Sequence, residues 1–257
     1  MRSLPEDNLS YPVLIKLEDG SSGSGFFLND NTASNLYFIT AAHVFFKDKI
    51  LKNKKATLTC YSKDLNIKNP IVIRLDLEKL SEQKVIKKHK IADVVIVKIA
   101  KMENIDKSKN VEGVEINLPE GGMLVTIINE SIKKYEDVLV SNEVFVLGYP
   151  NSLGDEGQID YERPLLRKGI IAGKNDKTKN IILDCPVYFG NSGGLAIEVE
   201  HTGKIINYKA IGIVTQFVPF KDELFSKKYG RVVSVNTENS GYSIIVPMDT
   251  ILDLLQT

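Results

Sequence analysis

The sequence predicts an all-β fold made of two antiparallel six-stranded barrels. Short runs of alternating apolar and polar residues recur along the chain, and turn-rich breaks separate them. Few stretches show the 3.6-residue period of a helix. A polar segment at residues 101–122 divides the runs into two groups of six. We therefore expect a first barrel at about residues 10–105, a linker at 101–122 and a second barrel at 123–246.

Six strand-like runs define each predicted barrel. The first group lies at residues 12–16, 25–28, 36–39, 56–61, 71–75 and 94–99. The second group lies at residues 143–147, 169–172, 181–183, 195–199, 211–216 and 242–246. The chain shows no internal repeat and no low-complexity tract. The two groups follow one another, so each predicted barrel comes from a continuous part of the chain. We expect a cleft between the two barrels.

The composition is that of a folded protein without a dominant charge. Of the 257 residues, 43% are hydrophobic, which is enough for one large domain or two small ones with real cores. Thirty-three basic residues balance 33 acidic ones, so there is no global basic field that would attract nucleic acid or an anionic membrane. We therefore expect neither nucleic acid nor a membrane as a partner.

The pentapeptide at residues 190–194 reads Gly-Asn-Ser-Gly-Gly and predicts a nucleophilic serine. A glycine at position 190 lets the backbone turn so that the N–H groups of Gly190 and Ser192 point at one spot. Two N–H groups that converge beside a serine hydroxyl form an oxyanion hole next to its nucleophile. The same letters also suit an ordinary glycine-rich turn between strands, so the motif is only moderately specific.

Chain order decides between two serine-hydrolase folds that fit this pentapeptide. Gly-x-Ser-x-Gly also marks the nucleophile elbow of α/β-hydrolases, in which the acid and the histidine follow the serine. Here His201 is the only histidine after Ser192, and it follows by a handful of residues, which leaves no room for the helix of an elbow. The other order requires a histidine and then an aspartate upstream of the serine, and both are present.

His43 and Asp93 are the upstream partners that this order requires. The apolar run at residues 36–39 ends in Thr-Ala-Ala directly before His43, and small residues let a turn pack beneath the imidazole. Asp93 stands at the head of the apolar run 94–99, where a carboxylate that enters a core needs partners. A lone aspartate in that place more often faces water. Three matching segments in one order favour His43, Asp93 and Ser192 as a catalytic set.

These segments resemble those of the chymotrypsin-type serine protease family. Gly-Ser-Gly-Phe-Phe at residues 23–27 adds to the resemblance, and residues 147–150, 167–172 and 210–214 resemble the second barrel of bacterial trypsin-like and Deg-type members. Residues 242–255 are similar to the last strand and the C-terminal helix of that family. The resemblance implies one protease domain over residues 1–257, with a helix at 247–256 after the barrels and no PDZ-like segment. Pro247 suits the first turn of such a helix.

The resemblance implies a serine endopeptidase that cleaves protein or peptide substrates through an acyl-enzyme. Ser192 would attack the scissile carbonyl, His43 would accept and return the proton, and Asp93 would hold the imidazole tautomer. The N–H groups of Gly190 and Ser192 would bind the oxyanion, at roughly 2.7–4 kcal/mol per donor. No cofactor and no metal is expected, since the sequence contains neither His-Glu-x-x-His nor Cys-x-x-Cys.

The expected specificity pocket contains no acidic residue. In this family the residue six positions before the serine often forms the floor of the S1 pocket, and Pro186 occupies that position. The other candidate pocket residues are Val187, Phe189, Ile213, Val214 and Thr215. We therefore expect an uncharged or apolar P1 side chain rather than arginine or lysine. A glutamyl preference is also not expected, because members with that preference tend to carry a threonine at the position of Val187 and a histidine on the later pocket strand.

Two alternatives to a constitutively active protease remain open. Chymotrypsin-like barrels are sometimes retained without catalysis, as a peptide-binding or adaptor module, although the complete residue set argues against this. The second alternative is a latent protease whose cleft opens when an activating protein partner binds. Asn191 stands where trypsin-like zymogens carry an aspartate that pairs with a newly cut N-terminus. We expect control through loops near the oxyanion hole, such as residues 151–164, and not through N-terminal cleavage.

The cysteine content and the N-terminal residues predict a cytoplasmic protein. The first eight residues contain no apolar stretch of the signal-peptide kind, and no later apolar run approaches the length of a membrane span. Secreted members of the family that this chain resembles usually carry several disulfides, whereas this chain has only Cys60 and Cys185. We expect both thiols to be free in a reducing compartment.

Overall fold

The computed structural model describes residues 4–63, 69–104, 107–154 and 157–256. The N-terminal half contains strands β1 (Val13–Leu17), β2 (Ser22–Asp30), β3 (Asn35–Thr40), β4 (Phe46–Lys47), β5 (Ile50–Leu51), β6 (Lys55–Cys60), β7 (Ile71–Asp76), β8 (Ile86–Lys88), β9 (Val95–Asn104), β10 (Lys107–Asn110), β11 (Val114–Asn117) and β12 (Ile127–Ile128). The C-terminal half contains strands β13 (Glu143–Gly148), β14 (Leu165–Asn175), β15 (Asn180–Asp184), β16 (Leu195–Thr202), β17 (Ile205–Ser226) and β18 (Arg231–Pro247). The helices are α1 (Ala42–Phe45), α2 (Leu77–Glu82) and α3 (Met248–Gln256), and 3₁₀ turns span Glu6–Ser10, Asn129–Ser131 and Tyr135–Asp137.

The C-terminal half is a closed six-stranded antiparallel barrel. Its strands follow the order β13-β14-β15-β18-β17-β16, and β16 pairs again with β13. Alternate residues of a strand point to opposite faces, and those that point inward form one apolar core. Val146, Ile171 and Ile245, from three different strands, are fully buried in it. The predicted second barrel is confirmed.

The N-terminal half is a ten-stranded sheet that surrounds a single apolar core. Its main path runs β10-β9-β3-β2-β1-β6-β7-β11, and β8 and β12 pair with β9 and β2. The six strands that the sequence predicts are consecutive in this path. Ile15, Phe38, Ile73 and Val97 come from β1, β3, β7 and β9, and all four are fully buried in one cluster. Strands near both ends of the path therefore pack against the same core, which confirms the all-β fold with a barrel-like N-terminal half. Within the described residues, this sheet has ten strands rather than the predicted six, because short strands pair along its edges.

The polar segment at residues 101–122, predicted as a linker, contains part of this sheet. The end of β9 and all of β10 form a hairpin there, and β11 pairs with β7. In β11, Val114 is buried and its neighbour Glu115 is exposed, as befits a strand at one end of the sheet path. Polar sequences suit such strands because one face remains in water.

A shared apolar core joins the two halves. Phe26 of β2 and Ile96 of β9 meet Leu195 of β16 and Ile213 of β17 in one buried cluster. Helix α3 covers this cluster with Met248, Ile251 and Leu254, at a spacing of three residues, which is typical of an amphipathic helix. The predicted C-terminal helix is confirmed. Within the described ranges, no helix has the length and apolar character that crossing a membrane requires.

Strands β17 and β18 continue far beyond the barrel. The sequence predicts strands only at residues 211–216 and 242–246, but the two strands remain paired as far as Ser226 and Arg231. We call residues 218–240 the long hairpin. It begins beside the cleft between the barrels, because Phe217 lines a cavity there and the Asn239 side chain donates to the carbonyl of Val187 at 2.6 Å.

Candidate active site

His43 and Asp93 form a two-point contact at the edge of the first barrel. Strand β3 ends at Thr40, which pairs with Val95 at the start of β9. His43 comes shortly after Thr40 and Asp93 shortly before Val95, so the pairing brings the two residues close together. The His43 backbone N–H donates to Asp93 Oδ1 at 2.9 Å. The imidazole Nδ1 lies 2.5 Å from Asp93 Oδ2. This arrangement fixes the ring orientation and leaves the other ring nitrogen, Nε2, available for chemistry.

The environment of Asp93 favours its charged form. Burial alone would raise the pKa of the carboxyl, but the side-chain hydrogen bond, the charge and the backbone N–H of His43 together outweigh burial. Lys88 adds a smaller electrostatic effect in the same direction, and the resulting pKa lies below the ordinary value of 3.8. A charged carboxylate in this place stabilises a positive imidazole.

The turn around Ser192 uses some of its N–H groups and leaves others without an acceptor. The N–H of Asn191 donates to Tyr188 O at 3.0 Å, and that of Gly193 donates to Val214 O at 2.7 Å. The Asn191 side chain accepts from the Tyr188 N–H at 3.0 Å, which closes the turn on itself. In the described part of the chain, the N–H groups of Gly190 and Ser192 have no hydrogen-bond acceptor. These are the two donors that the sequence predicts for an oxyanion hole.

Gly190 holds this turn in a conformation that excludes a side chain. Its φ is +92°, and a Cβ would come within 2.2 Å of the Tyr149 carbonyl oxygen. The Phe189 carbonyl accepts from the Asn151 N–H at 2.9 Å. Since C=O and N–H point in opposite directions across a trans peptide, the Gly190 N–H points away from Asn151.

Ser24 connects the first barrel to the turn around Ser192, a contact that the sequence did not reveal. Its hydroxyl donates to Gly190 O at 2.6 Å and accepts from the Tyr149 N–H at 2.8 Å. Its own N–H donates to Ser192 O at 2.8 Å, and the side chain is fully buried. The only sequence signal was a polar residue between two glycines in an apolar strand.

A cavity of about 460 Å³ is lined by seven of the ten predicted site residues, and Gly190 is among the three that do not line it. Its lining consists of His43, Asp93, Val187, Tyr188, Phe189, Ser192, Val214, Thr215, Gln216 and Phe217. The predicted pocket residues Pro186 and Ile213 do not line it: Pro186 is half-buried beside it, and Ile213 is fully buried in the shared core. The sequence analysis did not predict three lining residues, Tyr188, Gln216 and Phe217. Gln216 and Phe217 line the cavity because of the path that β17 takes toward the long hairpin.

Three of the ten lining residues are tyrosine or phenylalanine. The rings of Phe189 and Phe217 meet edge to face with centroids 6.0 Å apart. The Arg167 guanidinium lies over the Tyr188 ring, 4.5 Å from its centroid, in a cation–π contact. Among the lining residues, Asp93 alone carries a carboxylate, and it is engaged with His43.

Ser192 faces the same cavity as His43, but the two side chains are not hydrogen-bonded. Within the described residues, Ser192 Oγ has no hydrogen bond to His43 or to any other group. Catalytic hydrogen bonds in ligand-free sites are often long and shorten when substrate binds. The geometry therefore brings the three predicted catalytic residues to one cavity and leaves the serine side chain free.

The described residues include no cluster suited to a metal ion, as no three histidine, cysteine or acidic side chains are grouped for it. Cys60 and Cys185 are free and buried. Burial raises the pKa of the Cys60 thiol to about 12 and that of the Cys185 thiol to about 11. Both thiols therefore remain protonated at neutral pH and are poor nucleophiles.

The family profile of the trypsin-like peptidase domain matches residues 23–206, which include all three predicted catalytic residues. The chain belongs to this family. This assignment rests on the sequence alone and is independent of the geometry of the site. No curated protein matches the chain at a significant level.

Solved structures support the fold of this trypsin-like peptidase domain. The HtrA-type protease AlgW with a tripeptide has a TM-score of 0.53 at 15% identity, over 97% of this chain and 60% of AlgW. Human heparin binding protein has a TM-score of 0.55 at 10% identity, over 99% of this chain and 93% of that protein. A thermostable serine protease, AL20, from an extremophilic microorganism has a TM-score of 0.54 at 10% identity, over 97% and 96%. The chain spans 60% of the length of AlgW, and identities this low establish the fold alone.

Proposed function

We propose that this trypsin-like peptidase domain is a serine endopeptidase with Ser192 as nucleophile, His43 as general base and Asp93 as the residue that orients the imidazole. One observation carries the proposal: the two N–H groups without acceptors, on Gly190 and Ser192, lie in the turn that presents Ser192 to the His43–Asp93 pair. This combination supplies nucleophile, base and oxyanion donors around one cavity.

Each group has a defined task in the proposed mechanism. The Ser192 hydroxyl attacks the scissile carbonyl while His43 Nε2 takes its proton, and the negative oxygen forms hydrogen bonds to the Gly190 and Ser192 N–H groups. The same imidazole then protonates the departing amine, and an acyl-enzyme remains on Ser192. Water attacks the acyl group with the help of His43. Asp93 stabilises the imidazolium in both halves of the reaction through its contact with Nδ1.

The cavity wall supports a proposed preference for uncharged, apolar P1 side chains. Val187, Val214 and the two aromatic rings of Phe189 and Phe217 form a largely apolar surface. No free carboxylate is present there to pair with arginine or lysine, and a buried unpaired charge is costly. AlgW, which has a similar fold, has been solved with a tripeptide and with a decapeptide, which supports peptides as the ligand class.

A latent protease is the second candidate function. The unbonded Ser192 hydroxyl is the observation that favours it, because an assembled triad has this hydroxyl hydrogen-bonded to the imidazole. In that case an activating protein partner shifts the cleft toward the assembled state. We also propose a reducing compartment, for which the two free buried thiols are the support.

Cleavage of a peptide library tests the proposed function directly. The wild-type protein should cut peptides after apolar residues, while Ser192→Ala should lose at least about 10⁴-fold in kcat/KM. Ser81→Ala, at an exposed serine of helix α2 outside the cavity, is the matched control and should cleave like the wild type. Cleavage after arginine or lysine would contradict the apolar P1 preference. Cleavage that Ser192→Ala retains would contradict the assignment of the nucleophile.

A further inference from the structure

The long hairpin, residues 218–240, extends from the barrel as a two-stranded ribbon. In the described structure, β17 pairs with β16 only as far as Ile213, and β18 pairs with β15 only from Tyr242 onward. Between these points the two strands pair only with each other. A two-stranded ribbon alone is marginally stable in water, and both of its outer edges offer unpaired backbone groups. Such a ribbon gains stability from a binding partner.

Large apolar side chains are exposed along the ribbon. They are Phe220, Leu224, Phe225, Tyr229, Val232, Val233 and Val235, each between 41% and 65% exposed. At about 150–250 Å² for a whole aromatic side chain, these seven groups present on the order of 600 Å². Summed over the whole ribbon, this area is comparable with the largest apolar patch of a typical monomer and approaches the roughly 800 Å² that each partner contributes to a standard interface.

The apolar residues occupy both faces of the ribbon. Residues that pair across a ribbon share a face, and successive residues alternate between faces. Leu224 pairs with Ser234 on one face, while Glu223 pairs with Val235 on the other. A partner stacked on one face would leave the other exposed. A partner strand added to an edge contacts side chains on both faces.

The charges of the ribbon are separated along its length. Lys227, Lys228 and Arg231 give the tip three positive charges, and residues 224–237 contain no acid. The part nearer the barrel contains Asp222, Glu223 and Glu238 with one cation, Lys221, hence a net charge of two negative. Two such ribbons placed antiparallel bring each positive tip against the negative base of the other. A ribbon of this kind is complementary to a second copy of itself.

We propose that the long hairpin is a dimerisation arm whose partner is the long hairpin of a second copy of this chain. The two ribbons lie antiparallel about a two-fold axis and pair through the outer edge of β18. The outer edge of β17 is less suited to pairing, because Pro219 has no N–H group to donate to a neighbouring strand. In an edge strand, the nitrogen of a proline faces outward. In β18, residues 231–239 contain no proline and three valines, which favour strand pairing.

Sedimentation velocity of the Ser192→Ala protein tests the proposal without requiring protease activity. The unmodified hairpin should give a dimer that dissociates on dilution. The tip variant Lys227→Glu/Lys228→Glu/Arg231→Glu and the base variant Asp222→Lys/Glu223→Lys/Glu238→Lys should each weaken the dimer at least about tenfold, because like charges then oppose one another. A control with three distant lysines reversed, Lys47→Glu/Lys177→Glu/Lys204→Glu, should dimerise like the parent.

An equimolar mixture of the tip and base variants gives the decisive result. In a mixed pair, the negative tip of one copy meets the positive base of the other, and the reverse pair is equally complementary. We expect a heterodimer within about threefold of the parent affinity. A parent protein that stays monomeric at about 100 µM overturns the proposal, as does a dimer that neither variant weakens. A monomer that binds anionic lipid vesicles through the hairpin overturns it in favour of a lipid partner.

Discussion

At the scale of single residues, two glycines and one asparagine shape the catalytic turn. Gly190 and Gly193 have φ values of +92° and +84°, and a Cβ on Gly193 would come within 2.1 Å of the Ser24 carbonyl oxygen. Asn191 is buried and holds the turn through its side chain and its backbone. The turn is therefore held both by contacts within residues 188–191 and by hydrogen bonds to Ser24 and Val214.

Gly190→Ala should abolish most of the activity while the barrels remain folded. The new methyl group would collide with the Tyr149 carbonyl, so the turn must move and the Gly190 N–H loses its direction. Loss of one oxyanion donor lowers kcat by about 10²–10³-fold. Steady-state kinetics on the best library peptide measures this. Gly203→Ala is the matched control, since Gly203 also has a positive φ of +62° but open space around its Cβ position.

Asp93 should contribute to stability at neutral pH and lose this contribution in acid. Its pKa in the folded protein lies below the ordinary value of 3.8, so the unfolded chain binds the proton first as pH falls. The contribution is complete above about pH 5 and disappears as pH falls through the folded pKa. Urea unfolding should show a difference between wild type and Asp93→Asn that shrinks from pH 5 to pH 2. A difference independent of pH in that window would contradict the role of the carboxylate charge.

The sequence predicted that His43, Asp93 and Ser192 act together because each stands in a short motif with its own local signature, and all three line one cavity. It did not predict Ser24, because that residue acts through contacts with residues more than 120 positions away. The pocket residues were predicted in part for the same reason. Val187 and Val214 lie next to the motifs, whereas Phe217 enters the cavity only because the long hairpin leaves the barrel there.

At the scale of elements, strands with a buried face were predictable and strands without one were not. The predicted runs correspond to strands such as β3, which is buried along its whole length, and β13, where five of six residues are buried. The long hairpin has no buried face over most of its length, so no burial requirement imposes a period of two on its sequence. Polar strands β10 and β11 were missed because they lie at the ends of the sheet path.

A buried ion-pair cluster fastens the segment before β13 to strand β16. Lys133 is 8% exposed and contacts the fully buried Glu198 at 2.9 Å, as well as Glu200. The Asn142 side chain donates to the same Glu198 oxygen at 2.6 Å, and the Leu139 N–H donates to it at 3.3 Å. Glu198 therefore joins three separate positions of this segment to the barrel.

Lys133→Met should destabilise the protein by about 3–5 kcal/mol, because it leaves the Glu198 carboxylate buried without its cation. The double variant Lys133→Met/Glu198→Gln should recover most of this loss, since an amide oxygen still accepts from Asn142 and Leu139 but carries no charge. Urea unfolding at neutral pH measures both. Equal stability of the single and double variants would show that the buried charge is not the cause.

At the scale of the whole molecule, the proposed catalytic groups come from both halves of the chain and line one cavity. His43 and Asp93 belong to the first half, Ser192 to the second, and the shared core with α3 holds the halves together. The related structures keep this architecture at 9–15% identity. The two-barrel plan could be predicted from the grouping of strands, but the contacts between the halves could not, because no local pattern encodes them.

Reaction with a fluorophosphonate probe is the most direct test of the proposed catalytic site. The probe requires only an activated serine, so no knowledge of the substrate is needed. We predict that mass spectrometry finds the label on Ser192 and that Ser192→Ala and His43→Ala both abolish it, while Ser81→Ala does not. Folded wild-type protein that remains unlabelled, alone and after addition of cell lysate as a source of activating partners, would contradict the proposed catalytic role of Ser192.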